Sequence, residues 1–433
     1  MKDWRSGKNK VIVRGEGFSL IDCKGMKYVD GIASMWCNVW GHSTNTIIER
    51  MVLQLRTLPH STLFGLSNAP AIHLAKRLVE IAPGMQKIFY SDNGSTAIEA
   101  SMKMALQYWY NKGQFLKNRF VSIDNGYHGD TVGAMSLGYI ERFFHPYKPL
   151  LRSVLKVPGP ISLKNEPERE KKRMEYCIDQ TEKILHKYSK KVCALVMESG
   201  AQIAGGVILY PKGYQEKMSN LCKKYDVLLI LDEIATGFGR LGNMIEYSYQ
   251  KSAPDIVCFG KALTAGYFPL AVTAATQEIF EAFLGKYLDN KQLYHGHTFT
   301  GNPVGCAAAI ANLELYKRKN LISRVNRNAN YLAKRLDEFQ SLAVVREIRH
   351  KGLLAAIELK CKGQALMRLK NRGMINYFIA EECLKNGLFT RMLGNLVLII
   401  PPLAIDRPNL EKILNVLLSV LKKLDSFIRA ANS

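Results

Sequence analysis

Residues Val227-Leu-Leu-Ile-Leu-Asp-Glu233 give the clearest indication of fold in this 433-residue chain. A continuous apolar run closed by acids is typical of a strand covered on both faces, and residues 192–197 form a second such run. The segment between them, residues 213–225, has the pattern of a helix. Further strands are predicted at residues 87–90, 120–123 and 256–259, and a further helix at residues 96–110. This alternation indicates an α/β fold with a mostly parallel central sheet.

The two ends of the chain have a different pattern. The first 40 residues predict short strands and turns, and residues 303–340 are mainly helical in pattern. Strands are predicted at residues 343–347, 353–358 and 396–400, and helices near residues 365–385 and 408–425. These segments predict a second, α+β part of the molecule.

Composition excludes several classes of protein. At roughly 100–200 residues per domain, the length predicts two or three domains. Hydrophobic residues make up 47% and charged residues 22%, which is typical of a soluble globular chain. No apolar run reaches the roughly 18 residues that span a bilayer, and the N-terminus carries no secretory signal. The nine cysteines contain no Cys-x-x-Cys pair, so we expect a reduced, cytoplasmic protein without a disulfide framework or metal site.

The charge balance is unusual, because 60 Lys and Arg against 37 Asp and Glu give a formal net charge of +23. A nucleic-acid-binding surface is one interpretation. However, the basic residues are spread along the chain, and the densest cluster, residues 164–173, also contains three glutamates. The excess is therefore interpreted as a property of the whole surface that favours anionic substrates.

Asp232 and Glu233 end the apolar strand predicted at residues 227–231. Ligands of parallel sheets bind beyond the carboxyl ends of the strands, so both acids lie where a ligand is expected. One hypothesis is a metal-binding acid of a nucleotide hydrolase, which requires a phosphate loop of the form G-x-x-x-x-G-K-[ST]. The chain has Gly-Lys pairs at residues 7–8, 260–261 and 285–286, and none is followed by Ser or Thr. The nucleotide hydrolase is therefore excluded, and an acid that merely caps the next segment remains the structural alternative.

Lys261 follows the predicted strand at residues 256–259 and is flanked by small and apolar residues. Burial disfavours the ammonium form of a lysine, and a neutral amine can attack an aldehyde to form an imine. If Asp232 lies at the neighbouring strand end, it can keep a pyridine nitrogen protonated. Together these residues suit pyridoxal 5'-phosphate. An ordinary solvated lysine is the alternative.

Three further segments could complete such a site. Gly94 and Ser95 lie between a predicted strand and a helix, where free N–H groups can hold a phosphate. Thr298 precedes another helix and could add a hydroxyl, while Tyr127 follows a strand and could stack on the coenzyme ring. Simple helix caps and a turn are the alternatives for these three segments.

Five stretches jointly resemble the class III, fold-type I aminotransferases that use pyridoxal phosphate. They are residues 30–36, 102–109, 125–131, 232–240 and 260–263, and the resemblance extends from about residue 16 to 425. It implies a large coenzyme-binding domain, residues 49–304, and a smaller α+β domain formed by residues 1–48 and 305–433. It also implies a homodimer with shared active sites.

The resemblance assigns roles to residues that match the family's motifs. The residues implied to be catalytic are Lys261, which binds the coenzyme covalently, Asp232, which pairs with its pyridinium nitrogen, and Tyr127, which stacks on its ring. Coenzyme binding is further implied for Gly94, Ser95, His128 and Thr298, with Thr298 coming from the neighbouring subunit. Substrate binding is implied for Trp36, Asp130, Arg240, Gly296, His297 and Arg391, of which Arg391 would pair with a far carboxylate.

Within the family, the motifs are similar to the branch that aminates 8-amino-7-oxononanoate in biotin biosynthesis, with lysine or S-adenosyl-L-methionine as amino donor. Residues 60–65, 90–92 and 295–297 resemble members associated with lysine, so we lean towards that donor. A glutamate donor is disfavoured, because Ile203 and Ala204 stand where glutamate-using relatives tend to place an acid. The alternatives are another class III ω-aminotransferase with a different acceptor and, from a different class, a basic nucleic-acid-binding protein.

Overall fold

The structure is a computed structural model, and it describes residues 9–163, 166–360 and 372–430. The chain divides into two compact units, Glu49–Arg318 and Met1–Ile48 with Lys319–Ser433. The predicted large domain ends at residue 304, inside a helix that runs to Arg318, and the larger unit includes that whole helix.

Strands occur in both units, and they are numbered here in chain order. They are β1 (Ile12–Glu16), β2 (Ser19–Asp22), β3 (Lys27–Asp30), β4 (Lys87–Ser91), β5 (Arg119–Ile123), β6 (Leu155–Val157), β7 (Val192–Glu198), β8 (Ala201–Gln202), β9 (Ile208–Leu209), β10 (Leu228–Asp232), β11 (Ile256–Phe259), β12 (Ala271–Ala275), β13 (Val345–Lys351), β14 (Leu354–Leu359), β15 (Leu388–Phe389), β16 (Met392–Leu393) and β17 (Leu396–Ile399).

The α-helices are numbered in the same way. They are α1 (Asn45–Thr57), α2 (Ala69–Ile81), α3 (Gly94–Asn111), α4 (Val132–Leu137), α5 (Glu141–Phe144), α6 (Pro167–Tyr188), α7 (Tyr214–Lys224), α8 (Glu246–Tyr249), α9 (Gln277–Glu281), α10 (Pro303–Arg318), α11 (Leu321–Gln340), α12 (Arg372–Lys385) and α13 (Arg407–Ala430). Short 3-10 helices cover His145–Leu150, Lys261–Thr264 and Tyr287–Asp289. A single left-handed turn covers Ala33–Trp36.

The larger unit is built on a seven-stranded sheet with the order β4-β12-β11-β10-β7-β5-β6. The pairs from β11 to β6 are parallel, whereas β12 is antiparallel to both of its neighbours. Every residue of β7 and β10 is buried, as expected for central strands covered on both faces. The predicted α/β fold with a mostly parallel sheet is confirmed.

Helix α3 packs on this sheet and contributes much of its core. Its buried residues include Tyr108 and Trp109, and the Trp109 indole donates a hydrogen bond from Nε1 to the Cys193 carbonyl at 2.8 Å. A buried indole needs such a partner, because an unpaired N–H in the core is costly. The bond attaches the C-terminal end of α3 to β7.

The smaller unit joins both ends of the chain. Its first sheet has the order β1-β2-β3-β15, and its second has the order β13-β14-β17-β16. Strand β15 lies parallel to β3, with Leu388 opposite Val29 and Phe389 opposite Asp30. The predicted helix near residues 365–385 is described from Arg372 onwards, and its residues 365–371 lie outside the described residues.

None of the described helices is both long enough and apolar enough to cross a membrane.

Candidate active site

Two carboxyl groups end neighbouring strands at the carboxyl edge of the large sheet. Asp232 ends β10, Glu198 ends β7, and the two residues are directly paired in the parallel register. Both side chains are almost completely buried, with Asp232 5% and Glu198 6% exposed. The backbone N–H of Ile234 donates to Asp232 Oδ1 at 2.9 Å, which helps to fix that carboxylate.

His128 is the main side-chain partner of Asp232. Its Nδ1 lies 2.8 Å from Asp232 Oδ2, and the imidazole is buried. Within the described residues, His128 Nε2 is a buried atom without a hydrogen-bond partner. The imidazole therefore helps to orient the carboxylate, whose other oxygen, Oδ1, accepts from the backbone N–H of Ile234.

The pKa of Glu198 is higher than that of an ordinary glutamate. Burial and the negative charge of Asp232 raise the pKa of Glu198 to about 8, while the positive charge of Lys261 opposes the rise. Its Oε1 accepts from the Tyr127 N–H at 3.1 Å and its Oε2 from the Ile203 N–H at 3.0 Å. At neutral pH the Glu198 carboxyl is therefore largely neutral.

Lys261 stands at the end of the next strand, β11, which is parallel to β10. It opens the 3-10 turn Lys261–Thr264 and has a φ of 42°, an uncommon value for a residue with a Cβ. The Asn312 side chain of α10 donates to the carbonyls of Ala262 and Leu263 at 2.8 and 2.9 Å. These two bonds hold the turn that carries the lysine, whose side chain is half-buried.

The N-terminus of α3 forms a narrow cradle beside the same edge. Gly94 begins the helix, and a Cβ at this position would lie 2.8 Å from Ile234 Cγ2. Ser95 Oγ accepts from the Asp130 N–H at 3.2 Å, and a Cβ on Gly129 would lie 2.1 Å from the same oxygen. Only glycine fits these two positions without a shift, so the helix start can approach an anion closely.

Tyr127 lies next to these groups, on the loop after β5. Its hydroxyl donates to Asp130 Oδ1 at 3.0 Å, and its ring stacks on Phe144 with centroids 6.1 Å apart. Burial raises the pKa of Tyr127, and the charge of Asp130 raises it further. The ring is therefore a neutral aromatic surface, held at its hydroxyl by Asp130.

The remaining predicted residues of the larger unit occupy varied positions. Arg240 is buried, and its positive charge opposes the rise that burial causes in the pKa of Tyr316. A Cβ on Gly296 would lie 2.4 Å from the Phe64 ring, and His297 Nδ1 lies 3.4 Å from Asp92 Oδ2. Thr298 is exposed on the surface of this chain.

Trp36 and Arg391 belong to the smaller unit. Arg391 is exposed, and its Nη1 lies 3.2 Å from the Met35 sulfur. Met35 precedes the half-buried Trp36 in the turn Ala33–Trp36. The structure thus brings Arg391 to the turn that carries Trp36.

The side chains at the sheet edge fit the groups of pyridoxal phosphate. A buried carboxylate oriented by an imidazole suits a protonated ring nitrogen. An amine at the neighbouring strand end suits an aldehyde, and the glycine-bordered helix start suits a phosphate. Tyr127 adds an aromatic surface for the ring.

Two residues of this site, Glu198 and Asn312, were not predicted from the sequence. Glu198 ends an all-apolar strand just as Asp232 does, and that pattern could have indicated a second buried carboxyl group. Asn312 lies in the middle of a helix, 51 residues after Lys261, and no local signal marks it as the support of the lysine turn.

Comparisons with known proteins agree with this arrangement. The model of the family "Aminotransferase class-III" matches residues 4–421. An adenosylmethionine-8-amino-7-oxononanoate aminotransferase of Geobacter sulfurreducens is 41% identical, with 95% of this chain and 91% of that protein covered.

Solved structures give the same result. The adenosylmethionine-8-amino-7-oxononanoate aminotransferase of Methanocaldococcus jannaschii has a TM-score of 0.89 at 39% identity, covering 98% of this chain and 95% of that chain. The ω transaminase of Pseudomonas jessenii, solved in complex with PMP, has a TM-score of 0.90 at 31% identity, covering 97% and 94%. Since the family match spans nearly the whole chain, the chain belongs to the class III aminotransferases, fold-type I enzymes whose coenzyme is pyridoxal 5'-phosphate.

Proposed function

We propose that this aminotransferase transfers an amino group from lysine or S-adenosyl-L-methionine to the ketone of 8-amino-7-oxononanoate, as a step of biotin biosynthesis. The relatives named for this reaction share about two fifths of their residues with the chain over nearly its whole length. The observation that carries the chemistry is the meeting of Asp232 and Lys261 at neighbouring parallel strand ends, with His128 bonded to Asp232.

Each residue at the sheet edge has a distinct task in this proposal. Bound pyridoxal phosphate supplies an electron sink that stabilises negative charge at the substrate carbon. Asp232, oriented by His128, keeps the ring nitrogen protonated. Gly94 and Ser95 bind the phosphate through the start of α3, and Tyr127 covers one face of the ring.

Lys261 carries out the proton transfers. Once it is not bound to the coenzyme, the lysine Nζ would be free to act as a base and then as an acid. The Asn312 bonds to the following turn keep this amine close to the sheet edge. Because Glu198 is largely neutral at pH 7, it does not neutralise the positive charge that the lysine carries after it accepts a proton.

The substrate contacts are proposed for the remaining residues. The planar guanidinium of Arg391 pairs with the far carboxylate of the oxo acid, and Trp36 contacts its carbon chain. Substrate binding is also proposed for four residues of the larger unit, namely Asp130, Arg240, Gly296 and His297. Ile203 and Ala204 are buried apolar residues, so the segment offers no acid of the kind that glutamate-using relatives have.

We also propose that the enzyme is a cytoplasmic homodimer in which Thr298 contributes to the neighbouring subunit's coenzyme site. Large apolar side chains are exposed near Thr298 in the sequence, at Leu288 and Phe299, and Phe64, whose ring lies against Gly296, is exposed too. Exposed apolar side chains in such numbers favour contact with another protein surface, and a second copy of the chain is the commonest partner.

A second candidate is another ω-transamination with a different acceptor. It is supported by the TM-score of 0.90 with the P. jessenii ω transaminase. The acceptor distinguishes the two candidates, since both use the same coenzyme chemistry.

A panel of amino donors tests the proposal. Purified holoenzyme is incubated with 8-amino-7-oxononanoate and lysine, S-adenosyl-L-methionine or glutamate, and the diamine product is quantified. We expect product with lysine or S-adenosyl-L-methionine and none with glutamate. No product with any of these donors, together with amination of other ketones, would favour the second candidate.

Lys261→Ala provides the mechanistic arm of this test. Without its base and covalent partner, turnover should fall by at least about 10³-fold, and the yellow coenzyme band should be lost or shifted. Lys334, exposed on α11, supplies the matched control, and Lys334→Ala should keep both properties. Retention of turnover by Lys261→Ala would contradict the assignment.

A further inference from the structure

The turn Ala33–Trp36 has a left-handed backbone, although it contains no glycine. Its four residues have φ values of 48°, 47°, 75° and 74°. The Trp36 N–H donates to the Ile32 carbonyl at 2.8 Å and the Cys37 N–H to the Ala33 carbonyl at 3.0 Å. L-residues avoid this conformation because Cβ approaches the following carbonyl oxygen, so such a run persists only where neighbouring groups impose it.

Asp30 is hydrogen-bonded to the turn at several points. Its carboxylate is fully buried and accepts from the Ser34 N–H at 3.0 Å, the Ser34 hydroxyl at 2.6 Å and the Ile32 N–H at 3.3 Å. His42 Nε2 lies 3.3 Å from Asp30 Oδ2, the oxygen that also accepts from the Ser34 hydroxyl, in a contact that is not a hydrogen bond. The carboxylate therefore contacts both the left-handed turn and a histidine from a different segment.

His42 is itself fixed by close backbone contacts. Its N–H donates to the Gly17 carbonyl at 2.6 Å, and a Cβ on Gly15 would lie 2.5 Å from His42 Cβ. Gly41 has a φ of 90°, and a Cβ there would lie 2.4 Å from the Gly17 carbonyl oxygen. The histidine next to Asp30 therefore belongs to a tightly packed backbone segment.

The turn also determines the surroundings of Arg391. The residue after Asp30, Gly31, donates to the Phe389 carbonyl at 2.8 Å and accepts from the Ile400 N–H at 3.1 Å. These bonds place the turn beside the segment of Arg391, whose Nη1 lies 3.2 Å from the Met35 sulfur. The left-handed backbone thus presents Met35 to the guanidinium, and Trp36 is the next residue of the same turn.

We propose that Asp30 is a positioning residue that sets recognition of the acceptor's far carboxylate, acting through the left-handed turn on Arg391 and Trp36. The inference rests on the proposed function for the identity of the acceptor. It assigns Asp30 and His42 to substrate recognition, although neither is a contact residue in the proposal above.

The test compares two acceptors. One is 8-amino-7-oxononanoate, and the other is its carboxamide, which keeps the chain and the ketone but lacks the negative charge. We expect Asp30→Ala to lower kcat/KM for the acid by about 10- to 100-fold, mainly through KM, and to change kcat/KM for the carboxamide little. Arg391→Ala should give the same loss of preference, and the double variant should lose little more than either single variant.

Asp22→Ala is the matched control. Asp22 is also a buried aspartate of the smaller unit whose carboxylate accepts from a turn, at the Lys24 and Met26 N–H groups. The Asp22→Ala variant should keep the wild-type preference for the acid over the carboxamide. If Asp30→Ala does not fold, Ser34→Ala replaces it, because this variant removes the 2.6 Å hydroxyl bond and keeps the buried carboxylate.

The strained turn has a test that needs no substrate. Met35→Gly should raise the Tm of the holoenzyme by about 1–3 °C, because glycine adopts a φ near 75° without strain. Ile48→Gly, in the ordinary helix α1, should lower the Tm. A lower Tm for Met35→Gly would contradict the inference that the turn is strained.

The outcomes separate the inference from the proposed function. If the wild type does not aminate the oxo acid, the proposed function fails and the assignment to that carboxylate fails with it. If the wild type prefers the acid, and Asp30→Ala lowers kcat/KM for acid and carboxamide equally, only the inference is overturned. A selective loss for the acid, absent in Asp22→Ala, supports it.

Discussion

At the scale of single residues, Asp255 shows how burial changes the protonation of a carboxyl group near the site's strands. Its Oδ2 accepts from the Leu229 N–H at 2.7 Å. Burial raises the pKa of Asp255 from 3.8 to about 6, and the negative charge of Glu278 adds to the rise, while the bond from Leu229 opposes it. The folded protein therefore binds a proton at Asp255 more readily than the unfolded chain does.

The sign of the resulting pH dependence follows from this raised pKa. The favourable contribution of Asp255 is complete below pH 3.8 and is lost as the pH rises through about 6. Asp255→Asn keeps an oxygen for the Leu229 bond and does not titrate. Relative to the wild type, it should gain about 1–3 kcal/mol of unfolding free energy between pH 4 and pH 7.

Urea denaturation at the two pH values measures this difference. Asp337 is exposed on α11 and supplies the control. The unfolding free energy of Asp337→Asn should differ from that of the wild type by the same amount at both pH values. A constant difference between Asp255→Asn and the wild type from pH 4 to pH 7 would contradict the raised pKa.

The residues of the site were predictable to different degrees. Asp232 and Lys261 each follow an apolar strand, so their placement at neighbouring strand ends could be predicted, and the structure confirms it. The bond from His128 to Asp232 could not be derived from spacing, because 104 residues separate the two side chains. Their catalytic roles stay predictions.

At the scale of elements, Asn93 caps helix α3 where the proposed phosphate site begins. Its Oδ1 accepts from the Thr96 N–H at 3.1 Å, and Thr96 Oγ1 accepts from the Asn93 N–H at 3.3 Å. This reciprocal capping box satisfies free groups of the first turn and fixes the orientation of Gly94 and Ser95.

Asn93→Ala should lower the free energy of unfolding by about 1 kcal/mol, because a capping acceptor is lost. It should also raise the dissociation constant of the coenzyme, since the helix start that we propose as the phosphate site becomes less ordered. Urea denaturation and the absorbance of the coenzyme during dialysis measure the two effects. Asn93→Ser keeps a capping oxygen and is the matched control; equal losses in both variants would exclude the cap as the cause.

The strands with long apolar runs were predicted from sequence, whereas β12 was not. Its five residues, Ala271–Ala275, carry three alanines and no large apolar side chain except Val272. Its pairing with β4, about 180 residues earlier, is a tertiary contact. The left-handed turn Ala33–Trp36 was not predicted either, because it lacks the glycine that usually marks a positive φ.

At the scale of the whole molecule, the net charge of +23 fits the phosphate-bearing coenzyme better than the proposed substrates. The oxo acid carries an ammonium beside its carboxylate, and both proposed donors carry a net positive charge. The coenzyme is anionic, and a positive surface speeds the approach of anions. This effect is screened by salt, so it concerns association rates more than affinity at the site.

The proposed dimer gives the last prediction, because Thr298 is exposed on its own chain and is assigned to the neighbouring subunit's phosphate. Lys261→Ala removes the amine of its own site, while Thr298→Asp places a carboxylate against the neighbour's phosphate and repels it. Each homodimer should be inactive. A mixed dimer of the two variants, isolated with two affinity tags, contains one subunit with Lys261 and a neighbour with Thr298, so it should have about half of the wild-type activity. A mixed dimer of wild type and Lys261→Ala gives the reference for one working site. If the doubly variant mixed dimer is inactive while this reference is active, Thr298 serves its own subunit and the shared site is refuted.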